Sequence, residues 1–203
     1  MSWIPLALSR DVPPGTTRAV ILDGQELVLW RGEAGTIQVW EDRCPHRGMR
    51  LSFGFVRGDS LNCLYHGWQY GAGSRCMRIP AHPDLEVPPS IRATALEASE
   101  SGGFILIDRG ETMPPPAIPA ETPIASLAID AESGTLLQLC GAKLLAGADV
   151  FETRLDGIAL TLGWHAVRSG HLMLHAVARD AGAESRALLA LHDLRASAER
   201  KAA

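Results

Sequence analysis

The sequence predicts a mainly β chain. A small antiparallel barrel or sandwich is expected over residues 1–110, a Pro-rich linker over 111–123, and a smaller α+β part over 124–203 that ends in a helix. Three observations predict it. Short β-rich runs alternate with turn signals through the first hundred residues. Five prolines crowd residues 110–123. Apolar residues fall at helical spacing near the C-terminus.

The elements follow in order. The run 17-TRAVIL-22, the pair Asp23-Gly24 and the run 25-QELVLW-30 read as a hairpin, because Asp-Gly supplies the positive φ that a tight two-residue turn needs. Further strands are expected at 36-TIQVW-40, 60-SLNC-63, 91-IRATALEA-98 and 103-GFILID-108. No long helical pattern separates them, which argues against a parallel α/β sheet. The stretch 110-GETMPPPAIPAETP-123 cannot donate regularly to a sheet ladder and reads as semi-rigid linker. Beyond it, 135-TLLQLC-140, 150-VFETRL-155, 158-IALTLGWHAV-167 and 171-HLMLHAVA-178 read as strands, with hairpin turns at Asp156-Gly157 and Ser169-Gly170. Leu188, Leu189, Leu191 and Leu194, with charges between them, predict an amphipathic helix over Glu184–Lys201.

Composition narrows the function classes. Hydrophobic residues make up 46% and charged residues 21%, as in ordinary globular chains. A net charge of −4 argues against nucleic-acid binding, which needs a basic face. The start, 1-MSWIPLALSRD-11, lacks the basic and apolar regions of a secretory signal, and no run approaches a membrane span of about 20 apolar residues. The expected location is the cytoplasm, where thiols stay reduced and bind metals rather than form disulfides.

Two motifs carry the chemistry. The first is 44-CPHRG-48 and the second 63-CLYHGW-68, with sixteen residues between His46 and Cys63. Zinc would accept two thiolates and two imidazoles, but finger spacing groups cysteine with cysteine and histidine with histidine. Here each loop contributes one of each. That suits a two-iron cluster in which each loop gives a thiolate to one iron and an imidazole to the other. Pro45, Gly48 and Gly67 suit tight loops whose backbone amides point at cluster sulfurs.

The run 42-DRCPHRGMRLSFGFVRGDSLNCLYHGWQYGAGSRCMRIPAHP-83, with 3-WIPLALSRDVPPG-15 and 25-QELVLWRG-32, resembles the Rieske domain of ring-hydroxylating and O-demethylating oxygenases, the vanillate demethylase type in particular. The resemblance covers roughly residues 1–110. It implies a Rieske [2Fe–2S] cluster with Cys44 and Cys63 on the inner iron and His46 and His66 on the outer one. It places Arg47, Gly48, Tyr65, Gly67 and Trp68 around the cluster. Respiratory Rieske proteins carry a further disulfide and a serine after His-Gly; Met49, Tyr65 and Trp68 stand at those places here. Fewer hydrogen bonds to the cluster imply a potential toward the lower part of the Rieske range. Cys76 and Cys140 are expected to be buried structural thiols, and Arg47 either docks an acidic partner or is a solvated loop charge.

The family's large oxygenases also hold a mononuclear iron on two histidines and a carboxylate, with a pattern resembling D-x-x-H-x(4–5)-H. Residues 110–203 do not contain it. The candidates are His165, His171, His175, His192, Asp149, Asp156, Asp180 and Asp193. His171 and His175 on one strand stand about 13 Å apart, too far for one metal, whereas His165 and His171 across the hairpin are expected to approach. His192 and Asp193 are expected on the helix surface. Residues 124–203 loosely resemble a reduced helix-grip remnant.

The function expected is electron transfer. Electrons come from a flavin or ferredoxin reductase and pass to an oxygenase subunit, with a homotrimer as the guessed assembly. Two alternatives stay open: a small complete Rieske oxygenase, and a non-catalytic assembly or redox-sensing subunit.

Overall fold

The computed structural model describes residues 3–110, 114–119, 121–145, 147–179 and 182–202. Two compact units emerge. One comprises residues 11–21 and 25–98; the other comprises residues 1–10, 22–24 and 99–203. In chain order the strands are β1 (Trp3–Leu8), β2 (Thr17–Leu22), β3 (Gln25–Arg31), β4 (Ile37–Glu41), β5 (Phe55–Arg57), β6 (Ser60–Asn62), β7 (Gln69–Gly71), β8 (Cys76–Arg78), β9 (Ala95–Leu96), β10 (Ala98–Ser101) and β11 (Phe104–Asp108). Then come β12 (Thr122–Ile129), helix α1 (Ser133–Cys140), β13 (Lys143–Leu144), β14 (Val150–Leu155), β15 (Ile158–Arg168), β16 (His171–Ala178) and helix α2 (Glu184–Ala202).

The unit of residues 11–21 and 25–98 carries two antiparallel four-stranded sheets, ordered β2-β3-β4-β9 and β5-β6-β7-β8. Asp23 and Gly24 make the β2–β3 turn at φ +49° and +81°, as the Asp-Gly signal predicts. The core gathers Val28, Trp30, Trp40, Leu51, Leu61 and Tyr70. Trp30 packs edge-on to Trp40 at 5.0 Å, and Trp40 edge-on to Tyr70 at 6.3 Å. The second sheet is made of three-residue strands, so its position depends on this aromatic filling.

The other unit holds a three-stranded sheet, β1-β11-β10, and a five-stranded sheet, β12-β16-β15-β14-β13. These units cut across the sequence-based partition. β1 pairs along β11, and Pro5 lies so close over Gly163 of β15 that an added Cβ there would stand 2.7 Å from its ring. Burial of Trp3, Leu8, Phe104, Leu106 and Val177 in one cluster ties β1 and β11 to the C-terminal strands. The Pro-rich stretch is anchored as well. Ile118 is buried in that cluster, and its N–H donates to Ser101 Oγ at 2.8 Å.

In the first hundred residues β1, β5, β7 and β8 lie outside the expected strands, and of the run 91–98 only Ala95–Leu96 and Ala98 are strand; three further elements also differ. Residues 135–140 lie in α1 rather than a strand. A short apolar run is ambiguous by periodicity; here Leu136 and Cys140, one turn apart, face the core and Gly141 ends the helix in the left-handed region. Strand β12, unanticipated, starts inside the expected linker. In α2 the buried face is Ala187, Ala190, Leu191, Leu194 and Ala198, while Leu188 and Leu189 are exposed. The small alanines let α2 lie close on the sheet, and apolar size misled the sequence reading there.

Among the described residues, no helix is long and apolar enough to cross a membrane.

Candidate metal centre

The two motifs fold into matching loops. In the first, Gly48 N–H donates to Cys44 C=O and Cys44 N–H to Met49 C=O, both at 2.8 Å. In the second, Gly67 N–H donates to Cys63 C=O and Cys63 N–H to Trp68 C=O, both at 2.9 Å. Each loop therefore closes over the same number of residues, and each needs left-handed backbone at its glycine: Gly48 at φ +72°, Gly67 at φ +68°. A carboxylate outside the first loop fixes its span. Buried Asp42 accepts Ser52 N–H at 2.7 Å and Ser52 O–H at 2.5 Å.

The loops sort their donors by depth. Cys44 and Cys63 are buried, whereas His46 is half-buried and His66 exposed. The two imidazole rings lie 4.6 Å apart. Trp68 stacks on His46 at 4.2 Å and 7°, and Tyr65 lies against His66 at 3.9 Å. Burial pushes the Cys63 thiol above its ordinary range; the N–H groups of Tyr65 and His66 hydrogen-bond the sulfur and pull it back, while the nearby Cys44 sulfur raises it. Slight desolvation, then His66 and Arg47, hold His46 below the usual imidazole range. The loops thus bring together all nine expected residues: Cys44, His46, Arg47, Gly48, Cys63, Tyr65, His66, Gly67 and Trp68.

One functional candidate was missed. Tyr70 Oη lies 3.1 Å from Cys44 Sγ. Burial first, then the Cys44 contact, raise its pKa far above the phenol range, so it stays a protonated donor. The signal was present: Tyr70 is two residues beyond Trp68, on the alternation that faces the core in β7. What the sequence lacked was the strand register, Leu61 opposite Tyr70, that aims the hydroxyl at Cys44.

This donor set suits a two-iron group: two thiols inside, two imidazoles at the rim, and backbone N–H groups aimed at a sulfur. Cys76 is fully buried behind it, with Arg78 C=O 3.7 Å from its sulfur. Cys140 lies in the other unit, where burial pushes its thiol up to about 11.

Among the described residues the C-terminal candidates form no cluster of three metal donors, although Asp149 and His165 line one cavity. β15 and β16 pair with Gly163 opposite His175 and Arg168 opposite His171. His165 therefore meets His175, not His171: their rings stack at 5.3 Å and their nitrogens approach to 3.4 Å. Both are buried, with His165 Nδ1 2.9 Å from Pro5 C=O and His175 Nδ1 2.8 Å from Ser126 Oγ. His171 instead faces Asp130 at 2.6 Å. Burial raises the Asp149 carboxyl. Asp156 sits in the β14–β15 turn, His192 and Asp193 are exposed on α2, and Asp180 lies outside the described residues. Among the described residues, no group of three or more His, Cys, Asp or Glu is arranged to hold a metal ion. The four Cys and His of the loops stand as two pairs, the thiols buried and the imidazole rings 4.6 Å apart.

Comparison with known proteins agrees with this geometry. Residues 2–89 match the family model of the Rieske [2Fe-2S] domain. The chain is 33% identical over 192 residues to the oxidoreductase NdmD of Pseudomonas putida, covering 85% of this chain and 32% of that protein. It is 33% identical over 119 residues to the 3-chlorobenzoate-3,4-dioxygenase oxygenase subunit of Comamonas testosteroni, covering 58% of this chain and 28% of that one. The chain thus spans about a third or less of the length of these relatives. Among solved structures, NdmA of Pseudomonas putida CBB5 superposes over 98% of this chain and 79% of its own, at TM-score 0.73 and 17% identity. Apo dicamba monooxygenase covers 98% and 85%, at TM-score 0.73 and 17% identity. At such identity the structural likeness speaks for the fold.

Proposed function

We propose, from the match of residues 2–89 to the family model of the Rieske [2Fe-2S] domain, that the chain is the electron-transfer component of an oxygenase system. Cys44 and Cys63 hold the inner iron and His46 and His66 the outer one. The observation that carries this reading is the sorting of donors: both thiols are buried, while His46 is half-buried and His66 exposed. The cluster supplies one-electron chemistry when bound.

The chain's own residues do three things. The buried sulfur pair and the core around Trp40 and Tyr70 exclude water from the inner side. The exposed ring of His66, with His46 and Trp68 stacked beside it, brings the outer ligands to the surface, where a partner can come close. Tyr70 donates to the Cys44 sulfur and so favours the state with more negative charge on it.

The donor is proposed to be a flavin or ferredoxin reductase and the acceptor an oxygenase subunit. The NdmD likeness extends past the matched domain, to 85% of the chain, and supports a place beside an oxidoreductase.

Iron and acid-labile sulfide per chain, with EPR of the reduced form, test the reading. About two irons with two sulfides and a Rieske signal are expected. A third iron, removable by chelator, would overturn it in favour of an oxygenase site within the C-terminal unit.

A further expected result concerns Tyr70. Tyr70→Phe removes one hydroxyl donor worth about 1 kcal/mol to the reduced state, which lowers a one-electron potential by about 40 mV. Redox titration reads it. An unchanged potential would mean that the hydroxyl does not donate to the ligand sulfur.

A further inference from the structure

A shallow cleft of about 260 Å³ lies beside the first loop, with Cys44, His46, Arg43, Arg47, Arg92 and Glu41 among its lining residues. The strand bond from Glu41 N–H to Thr94 C=O brings the segment bearing Arg92 alongside the loop. Arg43 lies over Gly48, its Nε 3.5 Å from where a Cβ would stand. All three arginines are exposed. Among the described residues, no ion pair or hydrogen bond engages their guanidinium groups. Neighbouring cations differ: Arg50 pairs with Glu26, and Arg31 donates to Val12 and Gly35 C=O. The one carboxylate lining the cleft, Glu41, accepts a hydrogen bond from Gln25.

This concentration of positive charge runs against a chain whose net charge is −4. On the second loop, next to exposed His66, Leu64 and Tyr65 are 58% and 56% exposed. Unpaired guanidinium groups beside exposed aromatic and aliphatic side chains are what a transient protein interface presents. Arginine binds carboxylates in a fixed fork, and opposite charge steers encounter more than it adds affinity.

Resting on the electron-transfer reading above, we infer that the Arg43–Arg47–Arg92 cleft is the docking face for an acidic protein partner, whose carboxylates bring its redox centre to His46. Nucleic-acid binding calls for a broader basic face than three arginines on a chain of net charge −4.

The test uses the holoprotein, an acidic plant-type ferredoxin as probe and basic cytochrome c as counter-probe. Electron exchange is followed by stopped flow from low to high salt. The ferredoxin rate is expected to fall with salt, and the double variant Arg43→Glu/Arg92→Glu to lose about tenfold at low salt. The two proteins converge at high salt, where screening removes the difference. With cytochrome c the variant becomes the faster one. The variant's cluster EPR and potential serve as the control for intact ligands. Equal rates for parent and variant overturn the inference. So does inorganic phosphate that abolishes the difference at constant ionic strength, because the cleft is then a small-anion site. If no electron passes to or from either probe while the cluster signal is intact, the electron-transfer reading fails. In that case calorimetric titration of the two proteins with ferredoxin still decides the cleft: weaker binding by the variant supports it, and equal binding overturns it.

Discussion

Cys44→Ser and Cys63→Ser are each expected to lose nearly all iron, down to about a tenth of the parent's content or less, because an alkoxide is a far poorer ligand for iron than a thiolate at neutral pH. Cys76 is also buried, but its sulfur sits 3.7 Å from Arg78 C=O in β8, held there by the β7–β8 pairing. Cys76→Ser therefore keeps the spectrum and serves as the control. His66→Cys is expected to give a different loss. Its position is exposed, so a third thiolate is tolerated sterically, and the Rieske signal disappears or gives way to that of a cluster with more thiolate ligands. The potential then moves by some hundreds of millivolts toward the about −400 mV of all-cysteine centres. Visible absorption and EPR of the purified variants check each case. A native spectrum in His66→Cys would sink the ligand assignment.

Arg179→Met is expected to destabilise the C-terminal unit by about 2–3 kcal/mol. The Glu121 side chain is 2% exposed. Its Oε1 accepts from Arg179 Nε at 2.7 Å and from Thr161 Oγ1 at 3.0 Å, and its Oε2 is buried without a hydrogen-bond partner among the described residues. Arg179 also pairs with Glu152 on β14. Without the guanidinium, a buried carboxylate loses its compensating charge. The loss sits at the lower end of the range for buried pairs because Arg179 is 39% exposed and partly screened by water. Adding Glu121→Gln removes the orphaned charge and is expected to restore more than half of the loss. Urea unfolding followed through a C-terminal tryptophan, Trp164, measures both variants. A single variant as stable as the parent would mean that Glu121 finds water instead. Neither substitution is expected to disturb the cluster spectrum, since the loops belong to the other unit.

Glu121 also shows what the linker expectation left out. Composition marks 110–123 as poor in ladder donors, and that is correct for its prolines. It does not show that Glu121, at the end of the stretch, reaches Thr161 and Arg179, or that Ile118 reaches Ser101. These partners lie between 17 and 58 residues away, and local propensity carries no information about them.

The sequence by itself determined the chemistry of the centre and the β character of the chain. Cys44 with His46 and Cys63 with His66 are spaced within single loops, so the sequence alone places each thiolate and imidazole within one short turn of its neighbour. The turns at Asp23-Gly24, Asp156-Gly157 and Ser169-Gly170 were legible for the same reason: positive φ is a local demand that the residue type answers. Tertiary structure decided what depends on register and on the packing of distant segments. It aimed Tyr70 at Cys44, set His165 against His175 rather than His171, packed β1 with β11 and β15, and turned residues 133–140 into helix. Each of these follows from which side of a strand or turn is buried against a remote partner. For the strands, a shift of one residue in pairing would reverse those faces without changing a letter of the local pattern.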